Sequence, residues 1–236
     1  MPTLTDQAKA LLNLELTADQ EALFARFHAL LVEWNARMNL TAILAPEEVQ
    51  VKHFLDSLTV ADAVELHRGM RVVDVGTGAG FPGVPLQIVY PGIHVTLMDA
   101  TGKKIQFLEH VIQSLGLANA RAVKARAEDA GRFPEHRHVY DLALGRAVAR
   151  LPILLEYLLP LVKVGGYCVA MKGRTAVDEV NDSAHALSVL GGEVEDIESF
   201  QLPGIEETHH LIIVRKTALT PSAYPRASGM PAQKPL

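Results

Sequence analysis

Two periodicities divide the chain. Before about residue 70, apolar positions recur every three or four residues: Leu23, Phe24, Phe27, Leu30, Leu31, Trp34 and Met38 fall on one helical face. Thr17, with Gln20 three residues on, has the form of a reciprocal N-terminal cap, so a helix is expected from Thr17. A second is expected near Pro46, because proline suits a first turn and Glu47 and Glu48 suit its positive end. It runs through Val49, Phe54, Leu55 and Leu58. Most of these residues are expected only to cover a core.

From Arg71 short β-rich runs alternate with helical ones. Strands are expected over 71–75, 94–98, 121–124, 140–144 and 167–171, with helices over 84–89, 103–115, 152–161 and 175–190 and a turn over 164–166. Such alternation implies right-handed crossovers and a parallel sheet covered on both faces. Two last strands, 194–200 and 209–215, are separated only by Leu202-Pro203-Gly204. They predict a hairpin, which turns one strand antiparallel. The expected organisation is a helical extension over 1–69 packed on the core, an α/β domain over 70–216 and a tail over 217–236. The tail holds four prolines and no acid, and is expected to be disordered.

Composition narrows the function classes. Hydrophobic residues make up 49% and charged residues 21% of 236, as in an ordinary globular domain. Aromatics are only 6%, which disfavours a platform of stacked rings for nucleic acid. The single cysteine, Cys168, excludes an internal disulfide and a cysteine-rich zinc site; in its apolar run it reads as a small buried hydrophobe. His209 and His210 sit in a strand, where neighbours face opposite ways, so no metal is expected. No apolar run approaches ~18 residues and the first twenty residues lack a leader pattern, so a soluble cytoplasmic monomer with no membrane partner is expected. The net charge of −5 disfavours a general nucleic-acid binder, yet residues 71–174 carry 13 basic against 8 acidic side chains. That local excess suits an anionic substrate.

The chemistry concentrates in Asp74-Val75-Gly76-Thr77-Gly78-Ala79-Gly80, between an expected strand and helix. Gly76, Gly78 and Gly80 allow a sharp turn and close approach to a ligand at the carboxyl end of a strand. Asp99 ends the second strand, where a carboxylate accepts from both hydroxyls of an adenosine ribose. Gly78, Gly80 and Gly83 also match a dinucleotide fingerprint. Two features favour S-adenosylmethionine over NAD. Asp74 stands before the loop, where it would repel a pyrophosphate but meet the amino-acid part of S-adenosylmethionine. The sequence also offers no clear hydride-transfer constellation. With the sheet pattern, this gives a Rossmann-like class I methyltransferase fold with a seven-stranded, mostly parallel sheet.

Further segments stand out in order along the chain: Met38-Asn39-Leu40-Thr41-Ala42-Ile43, His53-Phe54-Leu55-Asp56-Ser57-Leu58, the run from Asp74 to Pro85, Lys103-Lys104, Arg126-Ala127-Glu128, Arg146-Ala147, Ala170-Met171-Lys172-Gly173 and His210-Leu211. Together they resemble the RsmG (GidB) family of bacterial small-subunit ribosomal RNA methyltransferases. The resemblance implies N7-methylation of guanine 527 in 16S rRNA, naked or in the small ribosomal subunit. It also implies that Gly76, Phe81, Ala127, Glu128 and Arg146 line the cofactor site. Gly145 and Ala100 stand where the family usually has serine, and no role carries over to them.

Guanine N7 has an in-plane lone pair and no proton to lose. No general base is therefore expected, and positioning, which can supply on the order of 7–11 kcal/mol, carries the reaction. Arg146 is the residue expected to position donor and acceptor. Lys103, Lys104, Arg121, Arg126, Arg150, Lys172 and Arg174 are expected to hold RNA phosphates. His53, Asp56 and Ser57, at helical spacing, form either a hydrogen-bonded cluster facing the pocket or, slightly favoured, polar packing of the extension on the core. Other readings remain open: a methyltransferase for a small molecule or protein, and a non-catalytic RNA-binding module.

Overall fold

The computed structural model describes residues 2–236. Among the described residues the extension contains α1 (Leu4–Leu12), α2 (Ala18–Met38), α3 (Pro46–Val49), a π-helical turn (Gln50–Leu55), α4 (Asp56–Leu58) and α5 (Val60–Ala63). The α2 cap is the predicted one: Thr17 accepts from the Gln20 amide while the Gln20 side chain accepts from the Thr17 amide. Sequence periodicity missed α1, although Thr3 and Asp6 form the same reciprocal cap. The wide π turn lies in the middle of the expected second helix, at the residues that carry His53. Such turns often mark functional sites.

The α/β part runs β1 (Arg71–Val75), α6 (Gly83–Val89), β2 (His94–Asp99), α7 (Gly102–Leu115), β3 (Ala120–Lys124), α8 (Ala127–Ala130), β4 (Tyr140–Arg146), α9 (Leu151–Leu158), β5 (Val162–Lys172), α10 (Ala176–Asn181), α11 (Ala184–Leu190), β6 (Gly192–Phe200) and β7 (His209–Lys216). Its seven strands lie in the order β3-β2-β1-β4-β5-β7-β6, with β7 antiparallel to both neighbours. This is the expected mixed sheet. The expected turn at 164–166 is instead a bulged part of β5: pairing with β4 jumps from Val162 to Tyr167. The helix expected over 175–190 breaks into α10 and α11 at Asp182-Ser183.

Strand order reverses between β1 and β4, which opens a crevice at their carboxyl ends. The extension borders it. Phe24 packs on Phe54 with ring centroids 4.9 Å apart, and Phe27 on Phe81 at 5.3 Å. Phe27 is wholly buried, so the extension and the segment after the glycine loop share one apolar core.

The disorder expected of 217–236 is corrected by the structure. The segment crosses the α8–α9 face and ends in a short helix, α12 (Met230–Gln233). Arg226 grips Glu156 through Nη2–Oε2 at 2.6 Å and Nε–Oε1 at 3.0 Å, and its amide donates to Oε1 at 2.7 Å. Arg137 donates to the carbonyls of Thr220 and Tyr224, each at 2.7 Å. Four prolines and the absence of acids suggested disorder, but the anchors are polar groups on distant elements, which composition does not reveal. No helix among the described residues is long and apolar enough to cross a membrane.

Glu156 is completely buried, so removing its cation strands a charge in the core. Arg226→Ala is expected to cost about 3–5 kcal/mol in a denaturant titration. A loss under about 0.5 kcal/mol, as for an ordinary surface change, would mean that the tail is not anchored.

Candidate active site

The loop after β1 is built around two acids. Asp74 Oδ2 accepts from the Thr77 hydroxyl at 2.6 Å and the Gly83 amide at 2.8 Å, tying the loop to the start of α6. Gly76 and Gly80 have φ of +67° and +97°, which side chains rarely adopt, and a Cβ on either would stand 2.7 Å from Val148 or Val84. Asp74 is fully buried, and burial pushes its carboxyl up to about 6. Asp74 anchors the loop from beneath through Oδ2, while its Oδ1 has no partner among the described residues.

Asp99, at the end of β2, faces the same loop. Its Oδ2 accepts from the Gly78 amide at 3.1 Å and Lys104 Nζ at 3.3 Å, and its Oδ1 from the Thr101 amide at 2.8 Å. A carboxylate offers about four acceptor positions, and Lys104 is the one flexible partner. Above Gly78 the space is open: a Cβ there would meet only the Gly76 carbonyl, at 3.9 Å. These are the features of a cradle able to take a ribose.

Arg146, the last residue of β4, points at the extension. It donates to Asp56 Oδ2 at 2.7 Å, His53 Nδ1 at 2.8 Å and the Lys52 carbonyl at 3.1 Å. Its guanidinium lies 5.4 Å from the centre of the Phe81 ring, on which His53 stacks at 4.5 Å. Phe81 itself is buried. Ala147 follows at φ +55°, a left-handed conformation that costs an alanine roughly 1–3 kcal/mol. Asp56 Oδ1 accepts from His209 Nδ1 at 2.8 Å, and this bond raises the His209 pKa. Because His53 Nδ1 accepts from Arg146, its proton sits on Nε2, 3.0 Å from the Thr41 hydroxyl.

His53 and Asp56 therefore join the pocket, whereas Ser57 donates back to the His53 carbonyl within its own helix. Sequence reasoning missed Thr41 and His209. Thr41 lies in the family-like segment from Met38 to Ile43. His209 was weighed only as a metal ligand, and no short-range pattern pairs it with Asp56, 153 positions away.

Ala127 and Glu128 open α8 beyond β3, and Glu128 Oε1 is occupied by the Gly229 amide of the tail at 2.9 Å. Among the expected phosphate ligands, Lys103, Arg126, Arg150 and Arg174 are exposed, and Arg150 pairs at the surface with Asp182. Two others are corrected. Arg121 bonds to the Thr96 hydroxyl at 3.1 Å and lines a cavity with Arg71 and His94, at the strand starts rather than the glycine-loop end. Net charge carried no information on that direction. Lys172 is nearly buried, paired with Glu179 at 2.7 Å and donating to the Ala149 carbonyl at 2.6 Å, so its charge is spent inside the protein. Gly145 also has a structural reason: a side chain there would meet Leu154 at 2.7 Å.

Burial, and then Arg146, hold His53 down to about 4. The native ring stays neutral while the unfolded one takes up a proton below about 6.5, so this contribution to stability is lost as pH falls from 6.5 toward 4. In an NMR titration the His53 ring signals are expected to stay fixed from pH 8 to about 5, and Arg146→Gln to move the midpoint up. A wild-type midpoint near 6.5 would refute the arrangement.

The chain is 47% identical to the ribosomal RNA small subunit methyltransferase G of Desulforamulus reducens over 99% of its own length and 97% of that protein's. It is 50% identical to the protein of that name from Desulfitobacterium hafniense over 95% and 93%. Among solved structures, a geranyl diphosphate methyltransferase in complex with SAM shares the fold at TM-score 0.53 and 13% identity, over 68% of this chain and 84% of that one. The profile of the family described as rRNA small subunit methyltransferase G matches residues 20–212, and the chain belongs to that family.

Proposed function

We propose that this protein transfers a methyl group from S-adenosylmethionine to N7 of guanine 527 in 16S rRNA, acting in the cytoplasm on the RNA or on the small ribosomal subunit. The observation that carries the reading is the pairing, across one crevice, of the Gly78–Asp99 cradle with the clamped Arg146. When bound, S-adenosylmethionine supplies an electrophilic sulfonium methyl.

Asp99 would hold the ribose as Lys104 gives up its place, with Gly76, Gly78 and Gly80 allowing close approach. Phe81, Ala127 and Glu128 border the site. The Phe81 ring and the Glu128 carboxylate are committed to protein contacts, so their part is to shape the walls. Asp74 fixes the loop. Arg146 stands where donor and acceptor meet. In the transfer the N7 lone pair forms the new N–C bond, the C–S pair stays on sulfur and the positive charge passes to the purine. No proton is lost, so no base is needed. N7 of a paired base faces a groove that side chains reach poorly, so the target must be looped out or displaced. Lys103, Lys104, Arg126, Arg150 and Arg174 would hold its phosphates.

Labelled methyl groups should pass to 16S rRNA or to small subunits and map to one guanine N7. Asp99→Ala removes a charged acceptor whose bonds are worth roughly 1.5–3 kcal/mol each. It should weaken S-adenosylhomocysteine binding at least tenfold in calorimetry with the fold retained. Label in protein or small molecules only, or binding untouched by Asp99→Ala, would overturn the reading.

A further inference from the structure

Beside Arg146 lies a cavity of about 790 Å³ whose lining includes four acids, Asp56, Glu179, Glu206 and Glu207. Two are committed. Asp56 bonds to Arg146 and His209, and Glu179 to Lys172, Thr175 and the Leu151 amide. Glu206 and Glu207 are both exposed, on the segment between β6 and β7, and of the two Glu207 lies against Gly173. Its Oε1 lies over Gly173, 2.8 Å from where a Cβ would stand, and accepts only a long 3.5 Å bond from the Arg174 amide. Nothing among the described residues donates to its Oε2.

Sheet order places these groups along one line. The glycine loop follows β1, Arg146 ends β4, Gly173 follows β5 and Glu207 precedes β7, and β1, β4, β5 and β7 are successive neighbours. Glu207 therefore stands on the side of the cavity away from the glycine loop.

We propose that this cavity receives the acceptor guanine and that Glu207 reads its Watson–Crick edge, accepting from N1–H and the 2-amino group. The proposal rests on the guanine-N7 reading above. On guanine these two donors lie across the ring system from N7, so a base with N7 toward the glycine loop and Arg146 turns them toward Glu207. Adenine would present an N1 lone pair to the carboxylate and be repelled. Methylation leaves the purine positively charged, which makes both donors stronger. The contact therefore tightens on the way to the transition state, and only such differential binding speeds the step. The bare backbone of Gly173 leaves the carboxylate room to lie where it does.

The test uses small subunits reconstituted with 16S rRNA carrying guanine or inosine at the methylated position. Inosine keeps N7 and N1–H but lacks the 2-amino group. The wild-type protein is expected to favour guanine at least tenfold in kcat/KM. Glu207→Gln is expected to bring that ratio below threefold by slowing the guanine reaction, with S-adenosylhomocysteine affinity unchanged. Gly173→Ala, which displaces the carboxylate, is expected to act in the same direction. A guanine-to-inosine ratio equal in wild type and Glu207→Gln, or no wild-type preference, overturns the proposal alone. Absence of any wild-type transfer to guanine overturns the underlying reading as well.

Discussion

The ion pair between Asp56 and Arg146 is the contact on which the site depends. One partner belongs to the helical extension and the other to the end of β4, and both are largely buried. A buried pair of this kind adds little net stability, because desolvating two charges offsets most of their attraction. What it fixes is geometry. Asp56 uses one oxygen for Arg146 and the other for His209, so the extension, β4 and β7 meet at a single carboxylate. His53 adds an acceptor for the guanidinium and a stacked ring on Phe81. The extension is thus a wall of the proposed active site as well as a cover for the core.

Three acids around the crevice, Asp74 and Asp99 at strand ends and Asp56 on α4, show how environment assigns different work to one functional group. Asp74, sealed beneath the loop, orders the backbone that turns over it. Asp99 is buried as well, yet one of its partners is the flexible Lys104, which can yield to a ligand. Asp56 neutralises a cation. The proposed reaction needs no acid or base, and this division of labour provides positioning and charge placement only. Glu207, exposed and loosely held over Gly173, is proposed to meet the acceptor.

Much of this was legible in the sequence because the signals were local. Alternating strand and helix patterns gave the sheet, and the unbroken step from β6 to β7 gave its antiparallel strand. Glycine spacing and the acid ending β2 gave the cradle. What was illegible depended on distant pairing or direction. Arg226 and Glu156, 70 positions apart, order a tail that composition marked as loose. Arg121 lies at the wrong end of its strand for the crevice, and Lys172 is neutralised by Glu179. Where His53 and Asp56 point followed from neither spacing nor charge, because only the folded chain brings Arg146 to them.

In the proposed reaction the extension completes the site by holding Arg146. The most direct measurement is steady-state methyl transfer by Asp56→Asn, which keeps the shape of the side chain and removes its charge. A fall in kcat of at least tenfold is expected, with circular dichroism and S-adenosylhomocysteine affinity close to wild type. A folded Asp56→Asn protein with wild-type kcat would contradict it.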